Sequence, residues 1–76
     1  MQIKLLAFAQ ARDRLGWPER MVEYELGETP RAVLARVAPT VLPEGWRVAV
    51  DEEYRSWDSP LGAARELALI PPVSGG

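Results

Sequence analysis

The chain has 76 residues, 47% of them hydrophobic, with no cysteine and no histidine. This is enough for one domain with a packed core, and it removes disulfide frameworks and the usual zinc and haem ligands. Nine basic residues are scattered among eleven acidic ones for a net charge of −2, which leaves no electrostatic footprint for nucleic acid.

The first segment, "QIKLLAF" (Gln2 to Phe8), alternates as a strand, with Ile3, Leu5 and Ala7 on one face and Lys4, Leu6 and Phe8 on the other. "AQARDRLGWPE" then allows a helical turn closed by Gly16, which Pro18 prevents from continuing. Within it, Arg12 and Asp13 read as a solvated pair outside any site. "RMVEYEL" predicts a half-buried strand that turns Val22, Tyr24 and Leu26 inward and Glu23 and Glu25 to water.

In "GETPRAVLARVAP" the period lengthens. Thr29 is the expected N-cap, Pro30 suits the first helical position, and Val33, Leu34, Val37 and Ala38 form the apolar stripe of a helix that Pro39 stops. "WRVAVDEEYRSW" holds two short runs, Arg47 to Val50 and Tyr54 to Trp57, joined by Asp51, Glu52 and Glu53 as a hairpin loop, with Val48 and Val50 inward. Those three adjacent carboxylates do not converge as metal ligands would, so no metal site is expected. Trp17, Trp46 and Trp57 are read first as packing under the sheet edges and second as a binding feature, and the sequence alone does not separate the two.

Leu61 is a core anchor in the turn-rich stretch before "RELALI", the last strand, whose Leu67 and Leu69 face inward and whose Ala68 and Ile70 face outward. Its apolar, uncharged composition places it at the centre of a sheet rather than at an edge. The order β-β-α-β-β-β with one amphipathic helix predicts a two-layer α+β domain, the helix lying across a mixed sheet of four to five strands. Residues 1–70 form the expected domain and residues 71–76 an extended, flexible C-terminal tail.

That tail, Pro71, Pro72, Val73, Ser74, Gly75 and Gly76, reads as functional. The two prolines end the strand and stiffen the exit. Six extended residues reach on the order of 20 Å, enough to enter another protein's cleft. Gly75 and Gly76 lack a Cβ, so their backbone suits a narrow channel that brings a terminal carboxylate to reacting atoms. A carboxylate becomes electrophilic once converted to an acyl-adenylate. Without His or Cys the chain has no catalytic base or thiol of its own. The longest uncharged stretch, Leu67 to Gly76, is too short to cross a bilayer and no basic leader precedes the fold, so cytoplasm is the expected location, with no membrane partner.

The ending "LALIPPVSGG", the opening "KLLAFAQARDRLG" and the central "VAVDEEYRSWDSPL" together resemble the small, sulfur-carrying subunits of molybdopterin synthase, a family of ubiquitin-like β-grasp carriers. The resemblance implies that Gly76 is adenylated at the expense of ATP by a ubiquitin-activating-like adenylyltransferase and converted to a thiocarboxylate with sulfur from a persulfide protein. The sulfur then passes to a pterin precursor within the large synthase subunit, where the catalytic side chains are expected. The carrier itself binds no cofactor. By the same resemblance Phe8, Tyr54 and Ile70 present an apolar patch to these partners.

Two departures from the family pattern stand out. Ala64, Arg65 and Glu66 occupy the place of a Gly-Asp-Glu stretch, and Asp51 stands where Asn is frequent. Alternative readings are a sulfur carrier for thiamine or tRNA thiolation, a ubiquitin-like protein modifier, or an interaction module whose tail is inert.

Overall fold

Alternating side chains in Gln2–Ala7 build strand β1, whose Ile3, Leu5 and Ala7 are buried while Gln2, Lys4 and Leu6 retain solvent contact. The computed structural model describes residues 1–8, 10–41 and 43–72. After β1 the chain forms helix α1 (Gln10–Leu15), strand β2 (Glu19–Glu23), helix α2 (Pro30–Val37), strands β3 (Arg47–Val50) and β4 (Glu53–Arg55), and strand β5 (Glu66–Ile70).

Helix α1 ends as its sequence requires. Gly16 takes φ +86°, a left-handed conformation, and its N–H donates to the Arg12 carbonyl at 2.8 Å. Helix α2 begins on Thr29, whose extended backbone and hydroxyl cap the Ala32 N–H at 3.2 Å, with Pro30 in the first turn. Its Val33 and Leu34 are fully buried, and the Ala38 N–H closes the last turn on the Leu34 carbonyl at 2.8 Å. Arg31 ties the helix to the loop after β4 through a two-pronged ion pair with Asp58, at 2.7 and 3.1 Å, which holds the Asp58 carboxyl below the usual carboxylate range.

The five strands lie in the order β2-β1-β5-β3-β4. The last strand is therefore the middle one, parallel to β1 and antiparallel to β3. Its uncharged composition fits this place, since both its edges are hydrogen-bonded. Register aligns the core in rows: Leu5, Leu67 and Val50 cross the sheet side by side, as do Ala7, Leu69 and Val48. These six are buried in one cluster with Val33 and Leu34 of α2, and each fully buried leucine contributes about 2 kcal/mol.

Tyr24 gives this apolar core its anchored polar tip. Its hydroxyl lies 2.8 Å from the Gly62 carbonyl and 2.9 Å from that of Ala64, and donates into this pair of acceptors. Burial first, and the Asp51 charge second, push the phenol above its ordinary pKa.

Three local expectations change. Leu26 does not face inward; it is 58% exposed, because β2 ends at Glu23 and the chain turns at Leu26 and Gly27, where strand alternation no longer applies. The hairpin loop is two residues, with Asp51 and Glu52 both at positive φ (48° and 72°), and Glu53 already pairs with Val50. Trp57 lies beyond β4, partly buried against the core, with its indole N–H donating to the Trp46 carbonyl at 3.1 Å. Trp46 is buried and Trp17 partly buried against the same cluster, in keeping with a packing role. Among the described residues no helix is long and apolar enough to cross a membrane.

Candidate functional site

The face of the sheet away from the core is built by the alternate residues of each strand. One row crosses all five strands: Glu19, Leu6, Ala68, Ala49 and Tyr54 stand side by side in register. The next row toward the end of β5 pairs Ile70 with Arg47. Phe8 follows the Ala7 and Leu69 pair on β1, as Ile70 follows it on β5, so the two are level on adjacent parallel strands. Phe8 is 58% exposed, Tyr54 is 68% exposed and Ile70 is half-buried. Small Ala68 and Ala49 keep the middle of this face low, which leaves the larger apolar groups standing at its borders.

Tyr54 and Ile70 come together at the end of β5. They line one side of an open groove of about 650 Å³, which Gly45, Trp46, Arg47 and Pro72 help to enclose. The Arg47 guanidinium lies over the Tyr54 ring at 5.8 Å from its centroid, a cation–π contact that orients the phenol. Arg14 sits over the Trp46 ring at the same distance, so α1 also braces this region.

Pro71 and Pro72 leave β5 half-buried. Pro72 lies against Gly45, so closely that a Cβ placed on Gly45 would stand 3.3 Å from the Pro72 Cβ. Of the tail residues expected to act, Val73, Ser74, Gly75 and Gly76 lie outside the described residues.

The sequence reading missed Gly45, Trp46 and Arg47 as neighbours of the exit. The signal was present in "PEGW", a Pro and Gly turn immediately before β3. Its meaning depends on antiparallel pairing with β5, which brings the start of β3 beside the end of the last strand.

Chemically, the face offers apolar contact and no assembled catalytic group. Apart from the hydrogen-bonded Tyr24 hydroxyl, the side chains buried among the described residues are apolar, and among those residues no three carboxylates gather as metal ligands. The Asp51 side chain instead accepts the backbone N–H groups of Arg65 and Glu66 at 2.9 and 3.0 Å. These bonds hold the bend at Arg65 and the first residue of β5.

The model of the ThiS family matches residues 5–76. The chain belongs to the ThiS family. Two curated relatives are named molybdopterin synthase sulfur carrier subunit. That of Dictyostelium discoideum is 32% identical, over 99% of this chain and 96% of its own length. That of Arabidopsis thaliana is 34% identical, over 100% of this chain and 84% of its own.

Solved structures agree on the fold. SAMP1 from Haloferax volcanii superposes with a TM-score of 0.79 at 24% identity over the whole of both chains. The molybdopterin converting factor subunit 1 of Pyrococcus furiosus gives 0.75 at 22% identity, over 96% of this chain and 99% of that one. The architecture is thus the ubiquitin-like β-grasp that the resemblance implied.

Proposed function

We propose that this ThiS-family chain is the sulfur carrier of a molybdopterin synthase and takes part in molybdenum cofactor biosynthesis. The observation that carries the reading is the family match running through residue 76, over a central strand whose exit leads to Pro-Pro-Val-Ser-Gly-Gly. Full-length likeness to two sulfur carrier subunits supports it.

The chemistry belongs to the Gly76 carboxylate. A partner adenylyltransferase directs its oxygen onto the α-phosphorus of ATP, forming an acyl-adenylate and releasing pyrophosphate. A persulfide sulfur attacks the acyl carbon and expels AMP, leaving an acyl disulfide. A thiol reductant cleaves the S–S bond, becomes oxidised to a disulfide, and frees the thiocarboxylate. That sulfur attacks a carbon of the pterin precursor inside the large subunit; the carbon–oxygen bond there breaks as the carbon–sulfur bond forms, and the departing oxygen takes up a proton. Water then hydrolyses the acyl–sulfur bond, which returns the carboxylate and leaves the sulfur on the product.

The chain's own residues bind and position. Phe8, Tyr54 and Ile70 form the apolar contact face for the large subunit and the activating enzyme, since exposed apolar groups of this kind mark interaction surfaces. Pro71 and Pro72 direct the exit, and Val73 to Gly76 thread the partner's cleft. ATP is consumed on the adenylyltransferase, and the catalytic side chains lie on the large subunit. The setting is the cytoplasm.

The test is transfer of sulfur to the pterin precursor by the reconstituted pair of subunits. Removing Gly76 shortens the reach by about 3.3 Å, beyond the roughly 1 Å tolerance of a positioned reaction, so transfer should collapse while the fold survives. Adding one residue after Gly76 should be equally damaging. Normal transfer by either variant would contradict the reading.

A further inference from the structure

Gly45 stands beside the root of the tail, at the end of the turn formed by Pro43, Glu44 and Gly45 shortly before β3. Two of its properties matter together. Its φ is +91°, in the left-handed region that favours glycine, and its open side faces the Pro72 ring, with a notional Cβ at 3.3 Å from Pro72 Cβ and 3.7 Å from its Cγ. A side chain at this position crowds the proline ring, which must give by a few tenths of an ångström to admit even a methyl group.

We propose that Gly45 is a positioning residue for sulfur transfer: the bare backbone at Gly45 is the seat against which Pro72 rests, and this seat aims the chain that follows. The role rests on the carrier reading above. It goes beyond that reading by placing a determinant of the reaction in the turn before β3, outside the tail.

The surroundings make the seat firm. Arg47, two residues on, pairs with Ile70, two residues before Pro72, so the sheet registers the turn against the exit. Trp46 is buried and is held by the Trp57 indole N–H on its carbonyl. Pro72 itself has a locked φ and no N–H to bond elsewhere. Contact with Gly45 therefore fixes the direction in which a stiff segment leaves the domain.

Leverage makes the direction consequential. Drawn out within a partner's cleft, four residues can span about 13 Å, and at that distance a change of about 5° in the direction set at the seat amounts to about 1 Å. A misplacement of that size costs on the order of 100-fold in a positioned reaction.

The experiment measures sulfur transfer from thiocarboxylated carrier to the pterin precursor, in single turnover with saturating large subunit, for wild type, Gly45→Ala, Pro72→Gly and the double variant. Gly45→Ala should lower the transfer rate by roughly 10-fold to 100-fold at saturating large subunit, where a change in affinity does not contribute. Pro72→Gly removes the ring and lowers the rate by itself. In that background, adding Gly45→Ala should lower it no further, since there is no ring left to displace.

Denaturant unfolding of the same four proteins reports the backbone strain at φ +91°, which should be equal in both backgrounds. No loss of rate with Gly45→Ala, or the same fold-loss with and without the Pro72 ring, overturns the positioning role alone. A wild-type chain that carries no sulfur overturns the carrier reading and the positioning role with it.

Discussion

Asp51 and Glu66 hold each other by a reciprocal pair of hydrogen bonds. The Asp51 N–H donates to the Glu66 carbonyl at 3.0 Å, and the Glu66 N–H donates to the Asp51 carboxylate at 3.0 Å. The carboxylate also takes the Arg65 N–H at 2.9 Å. One side chain in a two-residue turn thus closes the entrance to the central strand.

Asp51→Ala should therefore lower the free energy of unfolding by about 1 kcal/mol, since water can satisfy part of what the exposed carboxylate bonds. Asp51→Asn should cost less, because its amide oxygen can accept the same N–H groups and asparagine tolerates the positive φ found there. Chemical denaturation of the two variants beside wild type checks the order. Equal losses would mean that the carboxylate charge, not its acceptor geometry, fixes the turn.

Tyr24→Phe should cost about 1 to 2 kcal/mol near neutral pH, because it removes the hydroxyl between the Gly62 and Ala64 carbonyls. The effect should depend on pH in a stated direction. The folded-state pKa of this phenol lies above its unfolded value, so its contribution is complete below the ordinary tyrosine pKa and is lost as pH rises through the folded value. The stability gap between wild type and Tyr24→Phe should hold from pH 6 to about 9 and narrow above about 10. A gap that widens with alkalinity would contradict this assignment.

Phe8→Asp should weaken association with the large subunit by at least tenfold, about 1.4 kcal/mol, while circular dichroism stays that of the folded chain. Phe8 is exposed and lies past the last paired residue of β1, so the fold does not need its side chain. Leu26→Asp is the matched control, an equally exposed leucine in the turn after β2. Its binding should stay near the wild-type value, and equal loss in both variants would remove the patch from the account.

The fold was legible where periodicity and punctuation agreed. Thr29 with Pro30 marked the start of α2, Gly16 closed α1, and the uncharged run from Leu67 to Ile70 announced a central strand. Leu26 misled because alternation orients a side chain only while its strand is paired, and β2 stops at Glu23. The hairpin was read one residue too long because Asp51 and Glu52 form a two-residue turn without the glycine that usually advertises positive φ. The neighbourhood of Pro72 was the least legible part. Gly45 lies 27 residues earlier in the chain, and only the register between β3 and β5 brings the two into contact.

The central claim is that the Gly76 carboxylate carries sulfur, and intact-mass spectrometry tests it most directly. Incubated with the cognate adenylyltransferase, ATP, a persulfide donor and a thiol reductant, the chain should gain the mass of one sulfur replacing one oxygen. Fragmentation should place that gain on Gly76, and pyrophosphate should appear with it. Subsequent exposure to the large subunit and pterin precursor should return the original mass as sulfur leaves. A mass that never changes under these conditions, or a sulfur found anywhere but the terminal carboxyl, would contradict the account.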